Sequence, residues 1–319
     1  MRSKDCVRHA ATLLAAGVAL LLSANAAPAK ELKSIGVSLA TVDESYSYFY
    51  AVFKGVEFEA MKINPNVKIA TAEHLFRPTK QNAQIDDFIA AGVDLIVLNP
   101  SDANAIAPAI ARAHQAGIPV VAVDHRAAGV DATVETNNVQ AGMVACEYLI
   151  EKMGGKGAML ILSSMYGDPT DRVQGCTDAV AKHPGVKILS QDENNVGERM
   201  TAIFVGKTLL GQFPEVDGAF AVSDAIGFGT EDAAAQANRT NFPIVAVGGS
   251  PEAAQALKDP NMPQFVGTAS QNPFLMARLA VQAGAKILDG QKPDRDEVLM
   301  DSKMVTRDNV NDYEGWTAK

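Results

Sequence analysis

Residues 94–100 and 119–125 read DLIVLNP and PVVAVDH. Each is a short apolar run that ends in a strong hydrogen-bonding side chain, Asn99 in the first and Asp124 in the second. Two later runs repeat the pattern, GAFAVSD at 218–224 and FVGTASQ at 265–271. Apolar runs with little alternation suit parallel strands whose two faces are covered by helices. In open α/β sheets ligands sit beyond the carboxyl ends of the strands, so these amides and carboxylates gather where a small polar ligand would bind.

Outward from these runs the chain alternates strand and helix. Strands are expected at 34–41, 67–72, 94–98 and 120–124, with helices at 48–62, 80–91 and 103–116 between them. That is a doubly wound sheet of four or more parallel strands. After Asn137 and Asn138 the pattern restarts, with helices at 140–153, 171–182, 198–212 and from about Gly227, and strands at 158–162, 186–190, 219–222 and 244–247. A strand at 265–269, a helix at 273–288 and a short strand near 298–300 close the chain. The expected fold class is α/β, one architecture used twice.

Arg2, Lys4 and Arg8 precede an apolar stretch from Ala10 to Leu22, and small residues follow, with an Ala-Asn-Ala site ending at Ala26. Residues 1–26 therefore read as a secretory signal peptide; the stretch is short for a membrane span of roughly 20 residues. Cys6 lies before the apolar core and is poorly placed for lipid attachment. The expected compartment is the periplasm. The formal charge is −9 from 28 basic and 37 acidic residues, and −11 without the signal peptide. An acidic chain without a basic cluster is a poor nucleic-acid binder. Cys146 and Cys176 remain on two expected helices, where either a disulfide or two buried thiols would fit.

Catalytic signatures are missing. No G-x-G-x-x-G follows a strand, and the chain has no P-loop, H-E-x-x-H or G-x-S-x-G. His74, His114, His125 and His183 are not spaced like a metal pair. Nothing assembles a nucleophile with a base, so the chain is read as a non-enzyme without metal or cofactor.

The segment Thr41–Gly55 with its aromatics, then Leu98-Asn99-Pro100-Ser101-Asp102, Gly117–Asp124, Asn137-Asn138, Asp171–Gly175, Ser223-Asp224 and Ala269-Ser270-Gln271, in that order, resemble the periplasmic ribose-type sugar-binding proteins of ABC importers, within the LacI-like type I periplasmic binding family. The likeness covers nearly all of the chain after the signal peptide. It implies two α/β lobes joined by three crossovers, near Asn137, Gln271 and about Val298. Residues 33–137 plus 272–297 would form one lobe and 138–271 plus 298–319 the other. It also implies a monomer that closes around one sugar or polyol and passes it to a membrane permease with its ATPase.

Planar groups with two hydrogen-bonding atoms suit vicinal hydroxyls, and Asn99, Asp124, Arg172 and Gln271 stand where the family pattern puts sugar contacts. Asn99 and Asp124 could instead cap their turns, and Arg172 could be a plain exposed arginine. Tyr46-Ser47-Tyr48-Phe49-Tyr50 holds half of the chain's six tyrosines. By resemblance Tyr48 and Phe49 stack on the sugar's C–H faces and Tyr46 supplies a polar contact, with a core role for Phe49 as the alternative.

Departures from the ribose pattern fall at His125, where an arginine is usual, at Asn195, where an aromatic often stacks, at Ser223, where asparagine is common, and at Val247–Ser250, which lacks a strand-ending aspartate. These point away from ribose itself and toward another pentose, a deoxy sugar or a short linear polyol. Three rival classes remain. A LacI-type repressor lacks its helix-turn-helix here, a sensor or chemoreceptor ligand-carrier would share the whole fold, and an exported enzyme lacks an activated nucleophile.

Overall fold

The computed structural model describes residues 30–45, 47–164, 169–192 and 198–316; the expected signal peptide lies outside them. In chain order the first elements are β1 (Ser34–Leu39), α1 (Ser47–Ile63), β2 (Lys68–Glu73), α2 (Pro78–Ala91), β3 (Leu95–Leu98), α3 (Ala107–Gln115), β4 (Val120–Val123) and β5 (Ala132–Thr136). There follow α4 (Asn138–Lys152), β6 (Gly157–Leu162), α5 (Pro169–Ala181), β7 (Val186–Asp192), α6 (Arg199–Gln212), β8 (Gly218–Ala221), α7 (Asp224–Gln236) and β9 (Ile244–Gly248). The last are α8 (Pro251–Ala256), β10 (Phe265–Ser270), α9 (Pro273–Leu288), β11 (Glu297–Met300) and β12 (Met304–Thr306).

These strands form two six-stranded sheets, ordered β11-β5-β4-β3-β1-β2 and β12-β10-β9-β8-β6-β7. All pairs are parallel except β12 on β10. The apolar runs 95–98, 120–123 and 218–221 are wholly buried, as strands covered on both faces must be. Gly36 lies beneath the ring of Phe88, which leaves no room for a Cβ and lets α2 close onto β1. Gly55 faces the backbone of Phe274 in the same way, so α1 and α9 meet at near contact distance.

Three differences from the sequence reading stand out. The sequence reading places residues 298–300 at the start of the second lobe's final segment, yet they pair with β5 in the first sheet, Val298 opposite Val134 and Met300 opposite Thr136. Val298 and Met300 pack on the first lobe's core, so the last crossing falls between Met300 and Met304 instead of at Val298. β5 carries no strand signal in the sequence because Thr133, Glu135 and Thr136 break its apolar pattern; all three are buried, and Arg126 donates to the Glu135 carboxylate at 2.7 Å. Finally, α3 starts at Ala107 instead of 103, because the Asp102 carboxylate accepts from the N–H groups of Asn104 and Ala105 and holds that stretch as a turn.

The three connections between the sheets are bound side by side. Asn137 Nδ2 donates to the Asp301 carboxylate at 2.9 Å, and Gln140 exchanges two hydrogen bonds with the backbone of Ser302. Gln271 Nε2 donates to Thr136 Oγ1 at 3.0 Å, which ties the remaining crossing to the first. Cys146 of α4 and Cys176 of α5 form a disulfide, with Cα atoms 5.1 Å apart. One helical turn earlier on each helix, Gly142 lies against the backbone of Arg172, where a Cβ would collide with the Arg172 carbonyl oxygen. Gly175 lies equally close to the Val139 carbonyl.

Candidate functional site

The ends of β3 and β4 place Asn99 and Asp124 next to each other. Asn99 Nδ2 donates to Asp124 Oδ2 at 3.1 Å and to the Val123 carbonyl at 3.3 Å, so its side chain crosses to the neighbouring strand instead of capping its own turn. Behind it, the Asn99 carbonyl accepts from Gln81 Nε2 at 2.9 Å and lies 3.1 Å from His74 Nε2. His74 is buried, and its Nδ1 accepts from the Phe76 N–H, so Nε2 carries the ring proton. Burial holds the His74 pKa down at about 4.

Asp124 has φ +77°, an uncommon conformation that aspartate tolerates better than most residues. The turn points its carboxylate away from the strand toward α1. There Tyr48 donates its hydroxyl proton to Asp124 Oδ1, and His125 Nε2 lies 3.1 Å from Oδ2. One carboxylate thus meets Tyr48, Asn99 and His125. The enclosed Tyr48 hydroxyl is pushed well above the usual phenol range, first by burial and then by the Asp124 charge, with Arg172 and Gln271 pulling the other way. Tyr48 therefore serves as a hydrogen-bonding group as well as the flat surface the resemblance implies.

Arg172 comes from the first turns of α5 in the second lobe. Its Nε donates to Asn138 Oδ1 at 2.8 Å and an Nη to the Val222 carbonyl at 2.7 Å. Its backbone is set by the contact with Gly142, and its charge acts on both Tyr48 and Asp224. Gln271 sits at the second crossing and reaches Tyr48 and Thr136. Ser223 is the N-cap of α7, its Oγ accepting from the Ile226 N–H at 3.4 Å. Phe49 packs edge-on against Tyr48 and Phe76, with centroids 5.6 and 5.9 Å away. Tyr46 and Asn195 lie outside the described residues.

Two residues near this cluster are not among the ligand contacts expected from the sequence. Asp224 is buried at the start of α7, accepting from Thr268 Oγ1 at 2.6 Å and from the Ser250 N–H at 2.8 Å. Burial raises its pKa, and those donors together with Arg172 offset part of the rise. Trp316 meets the Tyr48 ring edge-on at 5.1 Å. Asp224 stood at a strand end, the signal used for Asn99 and Asp124; Trp316, in an irregular tail, carried none.

Parallel-sheet lobes joined by three bound crossings, with polar groups from both lobes converging on one place, make the architecture of a type I periplasmic binding protein. Residues 35–292 match the family model described as periplasmic binding protein domain, and the chain belongs to that family, as a ribose-type sugar-binding member. It is 30% identical to the xylitol-binding protein of Mycolicibacterium smegmatis over 236 residues, 72% of this chain and 66% of that one. It is 28% identical to the ribose import binding protein of Bacillus subtilis over 263 residues, 81% of this chain and 83% of the relative. A solved ABC transporter solute-binding protein from Mycobacterium smegmatis with bound glycerol superposes at a TM-score of 0.79 and 28% identity, covering 90% of this chain and 99% of its own. Another, from Actinobacillus succinogenes with bound D-allose, does so at 0.79 and 25%, covering 88% and 99%. These relatives are solute-binding proteins, not enzymes. Among the described residues no helix is long and apolar enough to cross a membrane.

Proposed function

We propose that this chain is the periplasmic solute-binding component of an ABC importer, capturing a monosaccharide or short polyol by hinge closure and delivering it to a membrane permease driven by its ATPase. The observation that carries this reading is the network in which Tyr48, Asn99 and Asp124 of the first lobe face Arg172 of the second, with Gln271 at a crossing between them. A ligand with vicinal hydroxyls would replace some of these contacts with its own. Asp124 would accept, Arg172 would donate, and Asn99 and Gln271 would do both. Phe49 and the Tyr48 ring would cover C–H surface, and His125, Ser223, Tyr46 and Asn195 complete the candidate set.

Because the groups come from both lobes, the ligand binds the closed form more tightly and draws the lobes together around the bound crossings. Relatives named for xylitol and ribose, and solved ones with bound D-allose and bound glycerol, support a polyhydroxylated ligand. A thermal-shift screen of the purified protein against pentoses, hexoses, deoxy sugars and short polyols tests the reading. A rise in melting temperature confined to a narrow group supports it through the linkage of binding to stability. Silence across the whole panel would remove the sugar or polyol ligand from the proposal.

A further inference from the structure

Trp316 is the only tryptophan of the chain. It lies beyond every strand and helix, yet it is 7% exposed, as buried as a core residue. Its Nε1 donates to the Gly248 carbonyl at the end of β9 in the second lobe, at 2.9 Å. Its ring meets Tyr48 of the first lobe with the planes 84° apart. The indole therefore touches both lobes beside the polar network.

This seat is built and not incidental. Tyr313 donates its hydroxyl to the Gly249 carbonyl at 2.7 Å, pinning the tail one residue further along the same turn. A Cβ on Gly248 would strike the Asp224 carboxylate, and one on Gly249 would strike the Tyr313 hydroxyl. Gly249 also has φ +70°, a conformation that favours glycine. The place of the missing strand-ending aspartate is thus already taken by Asp224 from the neighbouring helix, and the tail lies over the bare turn. From Trp316 a row of rings runs through Tyr48 and Phe49 to Phe76. Phe76 is exposed, with φ +57°.

We propose that Trp316 forms the second-lobe wall of the ligand cleft and sets its specificity; this rests on the function proposed above. The indole N–H is spent on Gly248, so the ring offers a ligand apolar surface only. A ligand that turns a C–H-rich face to it gains contact, and one that turns a hydroxyl to it loses a hydrogen bond it had in water. Opening the lobes must part Trp316 from Tyr48, so the indole also reports closure.

The test is calorimetric titration of the purified wild type, Trp316→Ala and Trp316→Phe with D-ribose, D-allose, xylitol and glycerol, alongside tryptophan emission of the wild type. The expected result is that the alanine variant unfolds cooperatively yet binds at least about tenfold more weakly, while phenylalanine recovers most of the affinity. In the wild type the emission shifts on saturation. Equal affinity of the alanine variant and wild type overturns the assignment while leaving the binding function in place. Should the alanine variant not fold, an unchanged wild-type emission at calorimetric saturation overturns it in the same way, and a shifted one supports it. Where the wild type binds none of the four, the same titrations use the ligand found by the thermal-shift panel, and silence across that whole panel removes the function and this wall together.

Discussion

Gly142 and Arg172 are in backbone contact: α4 has no side chain at the point where it crosses the Arg172 carbonyl, and one turn further on the same two helices are joined by Cys146–Cys176. Arg172 thus has its main chain fixed from below, while its guanidinium is held by Asn138 and the Val222 carbonyl. Pre-set geometry of this kind lowers what binding must spend on ordering a long side chain.

Replacing Gly142 by alanine should destabilise the protein by about 1–3 kcal/mol, the usual range for overpacking a tight contact. Since α5 must shift to admit the methyl group, ligand affinity should fall as well. Urea denaturation and calorimetry on the same variant read the two effects; a loss of stability with unaltered affinity would show that Arg172 is positioned by its own hydrogen bonds alone.

Arg172→Ala should weaken binding by about tenfold or more, since charge-assisted hydrogen bonds are worth roughly 1.5–3 kcal/mol. Arg172→Lys should not restore it, because an ammonium cannot serve Asn138, Val222 and a ligand in one plane. Titration calorimetry distinguishes these outcomes, and full affinity in the alanine variant would take Arg172 out of the site.

Asp124→Asn keeps a residue type that tolerates the +77° backbone but removes the charge shared by Tyr48, Asn99 and His125. Stability is expected to stay within about 1 kcal/mol of wild type while affinity drops by an order of magnitude or so. Thermal unfolding with and without ligand measures both; a large loss of stability would mean that the carboxylate is chiefly structural.

The disulfide between Cys146 and Cys176, 30 residues apart in sequence, should contribute about 3–4 kcal/mol by restricting the unfolded chain. The paired Cys→Ser variant is expected to unfold at lower urea concentration by that margin, and reductant should shift the wild type but not the variant. Coincident curves for both proteins under oxidising conditions would contradict this.

Two buried groups give stability opposite pH dependences. His74 is neutral in the fold with a pKa near 4, below its ordinary 6.5, so the unfolded chain takes up a proton first and stability falls as pH drops from about 6.5 to 4. Glu135, raised to about 7 from 4.5 by burial, holds its proton longer in the fold, so its contribution is present below 4.5 and fades as pH rises through 7. The two windows overlap with opposite slopes, so Glu135→Gln should remove the loss of stability between about pH 4.5 and 7 and leave the His74-linked rise between about pH 4 and 6.5 steeper. Denaturation midpoints from about pH 4 to 8 measure this; an unaltered slope in the variant would rule Glu135 out as its source.

Much of the candidate site was legible because strand ends are marked in sequence. Asn99, Asp124 and Gln271 each follow an apolar run, and the fold brings the first two into direct contact. Arg172 carried a weaker mark, a basic residue at the start of a helix, where the dipole does not favour it. What stayed hidden depended on contacts between distant segments. Nothing local says that Glu135 is buried beside Arg126, so β5 carries no strand signal in the sequence. Trp316 belongs to no periodic element, so only the fold reveals that the aromatic surface missing from the ribose pattern has a counterpart in the tail. The last crossing was misplaced because residues 297–300 are half exposed and carry no sign of which sheet they join.

β11 and β12 lie three residues apart in the chain and complete opposite sheets. During synthesis, therefore, neither lobe has its full set of strands until the final stretch has emerged. The first lobe waits on residues more than 160 positions beyond β5. A nascent chain of this kind therefore carries both sheets with an unfinished edge until this last stretch is made.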